Sequence, residues 1–228
     1  KYFYSDRIFK KKKIDRGRNS VFSLLIDLSG SMKEGDRIEL AIGLMSVMAK
    51  ALDILNIPFE IIGFTTSTYR DMYQGYTRGC PVVYYVLKNF SERYTQLLPD
   101  IITTLNSVNM FHNIDGEAVM FASSRLVKRS EINKVLIVFS DGRPEADKNS
   151  GVLRAHLVYS LSAVNRIGVN TVGIGIYSSS VANFYKNYLY CDKTSEYSSI
   201  SGIKKSDNIY VAFIMQLRNI LESFDTSL

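Results

Sequence analysis

The segment Val21-Phe22-Ser23-Leu24-Leu25-Ile26 is short, mostly apolar and rich in branched side chains, and it stops abruptly at Asp27-Leu28-Ser29-Gly30-Ser31. That composition suits a strand buried on both faces, as in a parallel sheet flanked by helices. Residues just past such a strand enter the crevice where open α/β sheets bind ligands. The chain is therefore expected to be α/β and Rossmann-like in three layers, with a mostly parallel central sheet and helices on both faces. Asp27, Ser29 and Ser31 would put a carboxylate and two hydroxyls into one turn, and Gly30 would let the backbone bend sharply enough to bring the hydroxyls together. Hard cations such as Mg²⁺ take oxygen ligands of this kind. Asp and Ser are also common in turns and at helix N-caps, so the pentapeptide alone is equally consistent with a capped strand-to-helix turn.

A second segment favours the metal site. Lys134-Val135-Leu136-Ile137-Val138-Phe139 repeats the buried-strand pattern and ends in Ser140-Asp141-Gly142-Arg143-Pro144. One strand delivering Asp-x-Ser-x-Ser and another delivering Ser-Asp-Gly resembles a von Willebrand factor A (VWA) domain with its metal-ion-dependent adhesion site. Between them lies Asn113-Ile114-Asp115-Gly116-Glu117-Ala118-Val119, where the family places a third loop, usually Gly-Thr-x-Thr-x-x-Ala-Leu. Asn113 and Asp115 stand at the two threonine positions. That departure is similar to the C-terminal VWA domain of the aerobic cobaltochelatase subunit and its phage-encoded relatives. Glu60-Ile61-Ile62-Gly63-Phe64-Thr65-Thr66 and Ile174-Gly175-Ile176 agree with the same subfamily, and the likeness runs over residues 20–222.

The resemblance implies a site and a role. Ser29 and Ser31 would ligate a divalent ion, Mg²⁺ or else Mn²⁺ or Ca²⁺, and Asp27 and Asp141 would hold it directly or through water. Asn113 or Asp115 would complete the set, and the departure from threonine leaves open which of them touches the ion. A remaining position would take a partner's carboxylate. The family's VWA subunit works with an AAA+ ATPase subunit and with a large chelatase subunit that inserts cobalt into a corrin precursor, which makes this chain an adaptor. An AAA+ adaptor with a non-tetrapyrrole role and a structural or adhesive VWA domain are the other two readings. The chain has no Gly-x-x-x-x-Gly-Lys-Ser/Thr loop of its own.

Independent catalysis finds little support. A haloacid-dehalogenase-type phosphatase also uses a strand-end aspartate with Mg²⁺, but it needs a second acid two residues later to protonate the leaving group. That position here is Ser29. With two histidines in the chain, no Ser-His-Asp arrangement is suggested. His112 adjoins Asn113, yet imidazole is a poor Mg²⁺ ligand, and His156 has no evident companion. Gly173-x-Gly175 lacks the third glycine of a dinucleotide loop and reads as a plain strand end.

Charge sets off the first 18 residues. They hold eight basic and two acidic side chains, the whole net charge of +6, and are expected to be a basic linker or extension before a VWA domain at 19–228. Lys10–Lys13 could contact nucleic acid or an acidic partner, but the neutral remainder argues against a nucleic-acid-binding face. No apolar segment reaches about 18 residues, so no membrane helix is expected. Lys1 in place of Met suggests an excised domain. Cys80 and Cys191 lack metal spacing and fit reduced thiols in a cytoplasmic protein.

Periodicity fills in the rest. Helices are expected over 36–55, 91–105, 116–128, 153–167, 180–188 and 209–224, strands over 59–64 and 169–176, and a Ser-rich loop over 192–207. Residues 66–90 read as a hairpin strand and an exposed loop. Tyr69, Tyr73 and Tyr76 lie there and are either a partner-binding surface or the tyrosines of a half-buried hairpin.

Overall fold

The computed structural model describes residues 19–67, 81–142, 144, 150–191 and 209–225. Its centre is a six-stranded sheet: β1 (Ser20–Asp27), β2 (Phe59–Thr66), β3 (Val82–Lys88), β4 (Asn133–Ser140), β5 (Val169–Ile176) and β6 (Asn187–Cys191). The strand order is β3-β2-β1-β4-β5-β6. Only β3 runs antiparallel, paired with β2 as the hairpin expectation required. Among the described residues, five α-helices accompany the sheet: α1 (Arg37–Ile54), α2 (Tyr94–Ser107), α3 (Asp115–Leu126), α4 (Ser150–Arg166) and α5 (Ile209–Asp225). The three-layer α/β architecture expected from the two apolar strands is the one observed.

Strand alternation sorts the core into two layers. Phe22, Leu24 and Ile26 of β1 face α1, α2 and α5, together with Val135, Ile137 and Phe139 of β4. Val21 and Leu25 point the other way, joining Leu136 and Val138 against α3 and α4. α1 ends where Asn56 takes a left-handed φ of 54°, a conformation asparagine tolerates better than most residues.

The topology also fixes where a ligand would sit. The chain leaves β1 through α1 towards β2, and leaves β4 through α4 towards β5 on the other side. The order reverses between β1 and β4, and their carboxyl ends frame the crevice. Both oxygen-rich motifs end there.

One element differs from expectation. The stretch 180–188 is not a helix: a 3₁₀ turn covers Ser179–Asn183, and Asn187–Cys191 forms the edge strand β6, parallel to β5 from Val172↔Asn187 to Ile176↔Cys191. Five residues are too few for periodicity to separate strand from helix. Residues 1–18, the Ser-rich segment 192–207 and Tyr69, Tyr73 and Tyr76 lie outside the described residues.

Candidate metal centre

Asp27 is the hub of the crevice. Its side chain is fully buried, and its two oxygens accept from three loops. Oδ1 accepts the Ser29 backbone N–H at 2.8 Å. Oδ2 accepts the Ser140 hydroxyl at 2.9 Å and the Asn113 amide at 3.2 Å. Asp27 shares the facing of Val21 and Leu25, which places it beneath α3.

The turn after β1 is held from both sides. Ser29 and Ser31 bring their hydroxyls within 3.1 Å of each other, followed by a 3₁₀ turn over Gly30–Lys33 whose Met32 is fully buried. Gly30 N–H donates to the Phe111 carbonyl at 2.6 Å, and Arg37 donates to the Ser31 carbonyl at 2.9 Å. The two hydroxyls thus meet as expected, although Gly30 lies in the 3₁₀ turn and is not among the glycines with positive φ.

The third loop is zipped to the end of β2. Phe111 N–H donates to the Thr65 hydroxyl at 2.9 Å and His112 N–H to the Thr66 hydroxyl at 3.1 Å. Thr66 N–H returns a bond to the His112 carbonyl at 3.0 Å. These contacts bring Asn113 to Asp27 across 86 residues of sequence. Asp115 opens α3, where the helix dipole favours an acid, and is 1% exposed. Its Oδ2 has no hydrogen-bond partner among the described residues. Asp141, 3% exposed, follows Ser140, whose hydroxyl also accepts the Gly142 N–H at 3.0 Å. Gly142 has φ +70°, and a Cβ there would come within 2.7 Å of the Val181 backbone nitrogen. The 3₁₀ turn thus closes over the Asp141 loop.

The electrostatics are those of crowded acids. Burial, then the charge of Asp141, raises Asp27 from 3.8 to about 7, against the hydrogen bonds that lower it. Asp115 is pushed well above its ordinary value by burial and then by Asp27 and Asp141. Ion binding in such a site would relieve both costs. Among the described residues no three His, Cys, Asp or Glu side chains converge tightly enough to hold a metal. Any ion would therefore depend on the serine hydroxyls as well. An all-oxygen donor set of carboxylates, hydroxyls and one amide, with an orphaned carboxylate oxygen among them, fits a hard divalent cation.

The structure thus gathers Asp27, Ser29, Ser31, Asn113, Asp115 and Asp141 at one crevice. Sequence reasoning assigned no role to four further residues. Ser140 lay inside a quoted motif, and Thr65 and Thr66 closed another, but their bonds to distant loops left no spacing to read. Tyr185 lay in the stretch expected as a helix. Its buried hydroxyl has no partner among the described residues. His112 takes part through its backbone. His156 lies against α3, its ring 2.4 Å from where a Cβ on Gly116 would sit.

Comparisons with known proteins bear on the fold and the family. The uncharacterized protein YojO of Bacillus subtilis (strain 168) is 24% identical over 216 residues, which cover 93% of this chain and 30% of YojO. The chain therefore spans less than a third of the curated relative it matches. Among solved structures, the pilus adhesin SpaC from Lactobacillus rhamnosus GG superposes with a TM-score of 0.61 at 13% identity, covering 91% of this chain and 31% of SpaC. The manganese-loaded TRAP protein of Plasmodium vivax gives a TM-score of 0.57 at 15% identity, covering 77% of this chain and 69% of TRAP. At such identities these two speak for the fold alone. The model of the cobalamin biosynthesis protein CobT VWA domain matches residues 8–205, and the chain belongs to that family.

Proposed function

We propose that this chain is a metal-dependent protein-binding module, serving as the adaptor of a cobaltochelatase-like complex driven by an AAA+ ATPase. The observation that carries the metal half is the gathering of three buried acids, Asp27, Asp115 and Asp141, at the crevice of the paired Ser29 and Ser31 hydroxyls, with Asp27 and Asp115 held above the ordinary carboxylate range by burial and neighbouring charge. Ser29 and Ser31 would hold Mg²⁺ together with these acids, and Mn²⁺ or Ca²⁺ would substitute for it. Asn113 donates its amide N–H to Asp27, which orients the side chain at the crevice. When bound, the ion would neutralise the acids and offer a coordination position to a partner's carboxylate.

The adaptor half rests on family membership. The family's association with cobalamin biosynthesis supports a place beside an AAA+ subunit and a large chelatase subunit. Among the described residues no helix is long and apolar enough to cross a membrane.

The test is capture of an AAA+ ATPase of the cobaltochelatase type, with purified components. Binding should fall at least tenfold when EDTA is added and return with Mg²⁺. The Ser29→Ala, Ser31→Ala double variant should behave like EDTA-treated protein while keeping its circular dichroism spectrum. Capture indifferent to both treatments would refute the metal-bridged mechanism.

A further inference from the structure

The strand end Gly173-x-Gly175 holds no dinucleotide loop, but it shapes the rim of the crevice. Just past β5 the chain turns back on itself at Tyr177, which takes a left-handed φ of 49°. The Ser178 carbonyl then packs onto Gly175, where a Cβ would collide with its oxygen. The Ser178 hydroxyl accepts the Ser180 N–H at 3.2 Å and opens the 3₁₀ turn Ser179–Asn183. Val181 of that turn covers Gly142, the neighbour of Asp141. Left-handed backbone suits glycine and is tolerated by asparagine or aspartate, whereas a tyrosine holds it where its surroundings impose it.

The surroundings of Tyr177 include α1. Its hydroxyl donates to Asp36 Oδ2 at 2.9 Å, across 141 residues of sequence. Asp36 is the N-cap of α1, yet its side chain makes no capping bond to the helix. An aspartate at that position ordinarily accepts a backbone N–H of the first turn; this one accepts from the end of β5. The next residue, Arg37, donates to the Ser31 carbonyl and to Glu34 Oε2, each at 2.9 Å. The Tyr177–Asp36 bond thus stands between two loops that carry candidate ligands. On one side lie Asp36, Arg37 and Ser31, and on the other Tyr177, the 3₁₀ turn, Gly142 and Asp141. β1 and β4 pair in the sheet, and the Ser140 hydroxyl joins them at the floor of the crevice through Asp27. Tyr177 joins their loops at the rim.

We infer that Tyr177 is a positioning residue of the metal centre, tying the turn of Ser29 and Ser31 to the Asp141 loop through Asp36. This rests on the metal reading above. Ligands supplied by separate loops bind an ion tightly when their spacing is set beforehand, because binding then meets less of the cost of ordering them. Contacts that orient metal-holding groups directly are worth 10–100-fold in affinity. This tie acts through Arg37 and the 3₁₀ turn and lies at the surface, so its loss should cost about fivefold, the worth of one ordinary hydrogen bond.

The experiment combines calorimetric titration of Mn²⁺ with amide hydrogen exchange of the metal-free protein. It compares the wild type with Tyr177→Phe, Asp36→Asn, Asp36→Ala and the double variant Tyr177→Phe, Asp36→Ala. Tyr177→Phe keeps the ring and removes the donor. Its Mn²⁺ affinity should fall about fivefold, and exchange should quicken at both 29–37 and 140–142 while α4 keeps its wild-type rate. Asp36→Asn retains an acceptor oxygen and should keep wild-type affinity. Asp36→Ala should match Tyr177→Phe, and the double variant should lose no more than either. Wild-type affinity and exchange in Tyr177→Phe would overturn the inference while leaving the metal centre intact. Losses that add in the double variant would overturn it too, as would an Asp36→Asn as weak as Asp36→Ala, which would assign the effect to charge. Absence of Mn²⁺ binding by the wild type would overturn the metal reading. Exchange would then decide the tie alone, upheld if both loops quicken in Tyr177→Phe and overturned if either does not. Should Asp36→Ala fail to fold, Tyr177→Phe and Asp36→Asn decide.

Discussion

Asp27 combines full burial, three accepted hydrogen bonds and a neighbouring carboxylate, and the balance leaves it at about 7. An aspartate whose folded-state pKa exceeds its unfolded value favours folding while protonated. That stability is whole below about pH 4 and is lost as the pH rises through about 7. The metal-free protein should therefore melt at a lower temperature at pH 7.5 than at pH 5. Mg²⁺ competes with the proton for the same oxygens, so its stabilising effect should be larger at pH 7.5. Thermal melts with EDTA and with Mg²⁺ at the two pH values check this, and an Mg²⁺ shift independent of pH would contradict it. Asp27→Asn keeps the shape and removes the charge. It should raise the metal-free melting temperature at pH 7.5 and abolish the Mg²⁺ shift. The candidate ligands that meet at the crevice were legible because oxygen-bearing side chains stand at short offsets past two strand ends. Thr65 and Thr66 were not, since each acts through a contact with residues distant in sequence and belongs to no short pattern.

α3 carries Asp115 at its first residue and is anchored near its last turn. Arg125 Nε donates to Glu60 Oε2 at 2.7 Å, and the Ser23 hydroxyl donates to Glu60 Oε1 at 3.0 Å. The Glu60 side chain is fully buried, whereas Arg125 is 30% exposed. Burial raises the Glu60 pKa against the opposing pull of Arg125, so the arginine offsets part of the cost of burying the acid. Removing one partner of a buried pair costs about 3–5 kcal/mol. The exposure of Arg125, and the proton Glu60 can take up, bring Arg125→Met to about 2 kcal/mol. The cost should shrink as the pH falls towards 4, because protonated Glu60 no longer needs the cation. Denaturant melts at pH 5 and 7.5 measure it, and equal losses at both would reject this account of the anchor. Apolar periodicity made α1, α3, β1 and β4 legible as elements. β6 was missed because Asn187-Tyr188-Leu189-Tyr190-Cys191 has only Leu189 fully buried and draws its identity from pairing with β5.

The molecule as a whole binds its two poles through α5. The family match ends at residue 205, yet α5 seals the core immediately behind the crevice. Phe213 is buried against Phe139, with ring centroids 6.4 Å apart at 49°, and Phe139 directly precedes Ser140. At the far end, α5 borders an apolar groove of about 310 Å³ lined by Phe22, Met48, Leu52, Val135, Leu217 and Leu221. Packing is thus dense next to the acids and open at the opposite pole, and truncations along one helix should differ accordingly. Phe213→Ala would leave a cavity under β4 and cost about 3–5 kcal/mol, lowering the melting temperature by roughly 10 °C for a chain of this size. Leu221 is only half-buried beside space already open, so Leu221→Ala should cost under about 2 kcal/mol, below the range for a fully packed leucine. Because Phe139 and Ser140 are adjacent, Phe213→Ala should also weaken Mn²⁺ binding at a temperature where the variant is still folded, whereas Leu221→Ala should leave it unchanged. Paired melts and titrations of the two variants test both statements. Equal destabilisation, or equal metal affinities, would mean that α5 closes the core without supporting the crevice.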